Sequence, residues 1–208
     1  MSPPLARCNP EPVWSHGADP IYRYRLERKE IPLKTAQSHG TVNFIMLNPS
    51  TATAQCNDKT VGNCEQLAQS WGYENLIVTN LFAYRDTNPD RLRVFDEPVG
   101  PDNDNHLLEA AREADLRIAA WGGQGDGFCF WQDRAIWLRV RLHVEQLDLK
   151  CWGRTKAFHP KHPGRVRNPG NFPLESLEDY ALAPNLAAIL AAPRPQQKPS
   201  HHLPPEPQ

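Results

Sequence analysis

Three strand-length runs, residues 42–47, 76–82 and 116–121, recur along the chain with helix-periodic stretches between them. A run that stays largely apolar at successive positions suits a strand covered on both faces, as in a parallel sheet packed between helices. After the first run, Val61, Cys64, Leu67, Ala68 and Trp71 fall on one helical stripe; Asp58 or Thr60 is placed to cap it and Gly72 to stop it. Asp102 and Asp104 open a second helix reaching about residue 114, where their charge favours the positive end of the helix dipole. A third helix covers about 130–146, and residues 147–152 make a fourth strand. Residues 22–27 alternate large and charged side chains, the pattern of an edge or half-exposed strand. This alternation predicts a three-layer α/β/α domain around a central, mainly parallel four-stranded sheet.

The chain has 208 residues, enough for a single domain of common size. We place that domain at 20–191, with proline-rich tails at 1–19 and 192–208. Lys and Arg number 23 against 24 Asp and Glu, for a formal charge of -1, so any nucleic-acid footprint has to be local. The odd set Cys8, Cys56, Cys64, Cys129 and Cys151 has no C-x-x-C pair, which argues against a disulfide framework or a zinc knuckle and for reduced thiols in a cytoplasm. No apolar run approaches membrane-spanning length.

In such a sheet, ligands bind beyond the carboxyl ends of the parallel strands. Distinctive residues stand at those ends: Asn48-Pro49-Ser50, Thr79-Asn80, Gly122-Gly123, and His159-Pro160-Lys161-His162-Pro163. Proline bars αR backbone at Asn48 and removes a donor, so the carboxamide sits on a rigid extended elbow. His159 and His162 lack a third Cys or His at metal-ligand spacing, so no metal and no cofactor is expected. The remaining role is an imidazole that polarises a carbonyl oxygen or contacts a phosphate. From 150 to 173 there is no acidic residue, whereas Lys150, Arg154, Lys156, Lys161, Arg165 and Arg167 crowd that span. Cations at a ligand edge suit phosphate-backbone contact. There is no G-x-S-x-G elbow, H-E-x-x-H or kinase signature.

The blocks LNPSTA (47–52), Asp58 with Thr60, WGY (71–73), TNLFAYR (79–85), AWG (120–122) and HPKHP (159–163) resemble a mostly bacterial family known only as domain of unknown function 1643. The chain more distantly resembles the uracil-DNA glycosylase superfamily, the mismatch-specific branch in particular. Leu47-Asn48-Pro49-Ser50 is similar to that superfamily's first strand-end motif and Thr79-Asn80 to its second; His162-Pro163 or His159-Pro160 is similar to its late loop. Met46 stands where the superfamily's first motif carries glycine, Lys161 and Gly164 stand where its late loop carries serine, and no intercalating wedge is identifiable.

The likeness implies a nucleobase-recognising domain, acting on DNA or a nucleotide, that hydrolyses an N-glycosidic bond. Asn48 and His162 would then be catalytic, Asn48 by orienting the attacking water and His162 by facing a base carbonyl or phosphate. Asn80 would read the base edge, with Ser50, Thr79 and Gly122 around the base, and Lys156, Lys161, Arg165 and His159 would meet phosphates. Two other readings stay open: a non-catalytic nucleotide or nucleic-acid binding module, and an enzyme of free or modified nucleotides.

Overall fold

The computed structural model describes residues 9–15, 20–34, 38–123, 131–174 and 177–180. Cys8, Cys129, Phe130 at the expected start of the third helix, and most of both proline-rich ends lie outside the described residues. Seven strands form one sheet: β1 (Val13–Trp14), β2 (Arg23–Arg28), β3 (Thr41–Met46), β4 (Asn75–Asn80), β5 (Leu116–Ala119), β6 (Lys150–Cys151) and β7 (Glu178–Asp179), in the order β1-β2-β4-β3-β5-β6-β7. Helices α1 (Lys59–Ser70), α2 (Asn103–Glu113) and α3 (Gln132–Val144) follow β3, β4 and β5 respectively.

The sheet is mixed and larger than the four strands expected. β3 runs parallel to β4 and β5, and β5 parallel to β6, but β2 is antiparallel to β4, β1 to β2 and β7 to β6. β1 and β7 have two residues each, too few to leave a period in the sequence; β1 falls within the stretch read as a tail. β2 keeps Arg25 and Glu27 half-buried but is not a free edge: β1 covers its first half, and both Arg23 and Arg28 are buried.

The pleat of β3 sorts the core into two layers. Val42, Phe44 and Met46 pack with the α1 stripe of Val61, Cys64, Leu67 and Ala68. Ile45 and Leu47 face the other way, onto Leu107, Leu108 and Ala111 of α2 and Ala135, Leu138 and Leu142 of α3. Phe44, Trp71 and Trp152 form an aromatic cluster with centroids 5.8–6.4 Å apart on the α1 side, each such pair contributing about 0.5–1.5 kcal/mol beyond area burial. Asp58, not Thr60, caps α1 by accepting from the Val61 amide at 2.9 Å. Gly72, at φ +80°, ends the helix in left-handed backbone. No helix among the described residues is long and apolar enough to cross a membrane.

Candidate functional site

The loops leaving β3 and β4 are zipped together. Phe82 N–H donates to Leu47 O at 3.0 Å, Asp86 N–H to Pro49 O at 3.1 Å, and Arg85 Nε to Ser50 O at 3.0 Å. Asn48 completes the seam: its Nδ2 donates to Asp86 O at 2.7 Å and to Pro49 O at 3.2 Å. Both amide hydrogens are thereby spent, and Oδ1 is what the carboxamide can offer a ligand.

The late loop closes on this seam from the far side. Asn63 Nδ2 of α1 donates to Pro163 O at 2.8 Å, and a Cβ added to Gly164 would lie 3.0 Å from Thr60 Oγ1. The glycine pair after β5 makes the approach possible. A Cβ on Gly122, whose φ is +76°, would lie 3.0 Å from His162 Cβ; one on Gly123 would lie 2.8 Å from His159 Cδ2. The pair is thus the seat of the two histidines, a packing role that spacing alone does not reveal.

Between these walls lies a cavity of about 700 Å³, within the ~300–1,000 Å³ range of small-molecule sites. Asn48, Ser50, Gly122, Lys161, His162 and Arg165 all line it, as does Met46. The structure does not bring Thr79, Asn80, Lys156 or His159 into that lining. Thr79 Oγ1 accepts from Asn43 Nδ2 at 3.1 Å inside the sheet. Asn80 is buried at the end of β4, where its backbone carbonyl accepts from Asn103 Nδ2 at 3.1 Å and its own carboxamide has no partner among the described residues. His159 packs edge-on against Trp131 with centroids 4.6 Å apart.

His162 is a neutral hydrogen-bond donor. Its Nδ1 accepts from the Gly164 amide at 3.1 Å, which assigns the ring proton to Nε2. Burial pushes its pKa down to about 4; Arg165 pushes the same way and Asp58 opposes. A neutral imidazole at neutral pH can polarise an acceptor without carrying charge into the site.

Several lining residues were not singled out from the sequence: Arg23, Asp86, Trp121 and Trp152. The indole Nε1 atoms of Trp121 and Trp152 are buried without a partner among the described residues, whereas Trp71 Nε1 donates to Phe172 O at 2.7 Å. The basic span also divides. Lys150 pairs with Asp179 at 2.5 Å and Arg154 with Glu178 at 3.5 Å, because β7 returns acids to β6. Lys156, Lys161, Arg165 and Arg167 make no ion pair with the described residues and are exposed. Beside them Phe158 is 74% exposed on left-handed backbone at φ +61°. Among the described residues no group of His, Cys, Asp or Glu could hold a metal ion.

These features define a mixed α/β domain with a ligand-sized cavity at the carboxyl ends of its parallel strands. The chain belongs to the family described as protein of unknown function (DUF1643), matched over residues 23–164. That span holds Arg23, Asn48 and His162 and stops short of Arg165. No curated protein and no solved structure matches the chain.

Proposed function

We propose that this chain is a nucleobase-recognising protein of uracil-DNA-glycosylase-like design, hydrolysing an N-glycosidic bond in DNA. The observation that carries the reading is the convergence of the Asn48 carboxamide, the neutral His162 donor and a rim of Lys161, Arg165 and Arg167 on one cavity. Cleaving a base from its sugar requires an extruded base, a stabilised leaving anion and a placed water. His162 Nε2–H is suited to the base carbonyl on which charge develops. Asn48 Oδ1 can accept a hydrogen bond from the water, and the Asp86 carboxylate, also in the cavity lining, can take its proton. The exposed cations suit backbone phosphates, and Phe158 offers a ring on which a base can stack.

A second reading is a nucleotide or nucleic-acid binding module without hydrolysis. It is favoured by Asn80 lying outside the cavity lining, which leaves the base edge without its expected reader, and by the engagement of Asp86 Oδ1 with the Asn88 amide at 2.7 Å.

A screen of single- and double-stranded DNA carrying uracil, hypoxanthine, xanthine or oxidised bases separates the two. Base release is expected from the parent. Asn48→Ala should abolish turnover with substrate binding retained, and His162→Gln should lower the rate by roughly 100- to 1,000-fold, as for a missing transition-state donor. Binding without release of any base would remove the catalytic reading and leave the binding module.

A further inference from the structure

Two buried arginines share β2, and they are treated differently. Each nitrogen of Arg28 has an acceptor: Nε donates to Asn57 Oδ1 at 2.8 Å, Nη1 to Glu27 O at 2.7 Å and Nη2 to Thr53 O at 2.6 Å. Arg23 is 1% exposed and makes one side-chain hydrogen bond with the described residues, from Nη1 to Ala52 O at 2.6 Å. Among the described residues its Nε has no hydrogen-bond partner and its guanidinium takes no ion pair. Arg23, unlike Arg28, lines the cavity.

We propose that Arg23 is the anchor for an oxyanion inside the cavity, and that this oxyanion is a phosphate ester carried by the nucleobase ligand. The inference rests on the reading of the cavity as a nucleobase site. A buried guanidinium without a counterion is costly, and a bound anion offsets that cost. The Ala52 carbonyl takes one Nη1 hydrogen and Nε has no acceptor among the described residues, so the guanidinium keeps capacity for an oxyanion, which an arginine fork can meet with two parallel N–H bonds. Burial lowers the Arg23 pKa to about 10, with Arg85 and Arg28 acting in the same direction against Asp58, so it stays charged at neutral pH. Phosphate suits the site better than carboxylate. Lys161, Arg165 and Arg167 add positive charge, while Asp58 and Asp86 each already accept from a backbone amide. The unpartnered indole donors of Trp121 and Trp152 add capacity for acceptors alone.

The phosphate can come from a free nucleoside monophosphate or from the backbone beside an extruded nucleotide. Thermal unfolding of the full chain, with inorganic phosphate titrated at fixed ionic strength, should show a saturable rise in Tm. A nucleoside monophosphate should bind roughly tenfold to a hundredfold more tightly than its nucleoside. That gap should vanish in Arg23→Met and shrink in Arg23→Lys, which keeps the charge and loses the fork. If Arg23→Met does not fold, Arg23→Lys decides. No saturable phosphate response in the parent, or an unchanged gap in the variant, overturns the proposal.

An oligonucleotide without a terminal phosphate, compared in parent and Arg23→Lys, tells the sources apart: weaker binding there indicates a backbone phosphate, and weakening confined to the monophosphate indicates a free nucleotide. Arg23-dependent phosphate binding without discrimination among bases would sink the nucleobase reading and leave the anchor standing. Base discrimination with an unchanged phosphate gap would do the reverse.

Discussion

His162 contributes differently to stability at different pH values. Its pKa of about 4 in the fold lies below the 6.5 of an unperturbed imidazole. Between those values the unfolded chain binds the extra proton. The contribution is therefore complete above about pH 6.5 and is lost as pH falls toward 4, with a full span on the order of 3 kcal/mol. Urea unfolding of the parent from pH 7 to 4.5 should lose stability more steeply than His162→Gln; parallel curves would show that burial of the ring is not linked to its protonation. His162 and Asn48 were legible in the sequence because each stands before a proline that fixes its backbone. Arg23 was not. It sits in an alternating strand where arginine reads as outward, and its burial depends on the Ala52 carbonyl, 29 residues along the chain.

At the level of elements, the apolar runs made β3, β4 and β5 legible, and the Val61–Trp71 stripe did the same for α1. β6 falls within the run 147–152 read as the fourth strand; the two-residue strands β1 and β7 are held by pairing with their neighbours, and two residues carry no period. The antiparallel return of β7 was therefore hidden, and with it the pairing of Lys150 and Arg154. Two glycine substitutions test the packing that positions the late loop. Gly123→Ala drives a Cβ to within 2.8 Å of His159 and should cost about 1–3 kcal/mol by overpacking, read as a lower urea midpoint. Gly62→Ala meets nothing within 4 Å inside α1 and should stabilise by about 0.5–1 kcal/mol through helix propensity and unfolded-state entropy. A destabilised Gly62→Ala would mean that the start of α1 is held in a conformation that alanine resists.

Across the whole molecule, a formal charge of -1 makes any attraction for nucleic acid local, and the late loop carries cations that take no ion pair with the described residues. Replacing Lys161, Arg165 and Arg167 by alanine should weaken DNA binding and flatten its salt dependence, by about 0.7–0.9 in the log–log slope for each phosphate that is no longer neutralised. Lys150→Ala should leave that slope alone, because Asp179 already neutralises the ammonium. An equal effect from Lys150→Ala would mean that charge acts as a diffuse field rather than from the rim. The Asn63 to Pro163 hydrogen bond joins residues 100 apart. Bringing such distant segments together costs loop-closure entropy, so this tie is expected to form after the β3–β4 pairing. A growing chain can thus pair its first parallel strands well before it has a binding site, and a ligand that spans both walls of the cavity will favour the finished fold over every partly assembled one.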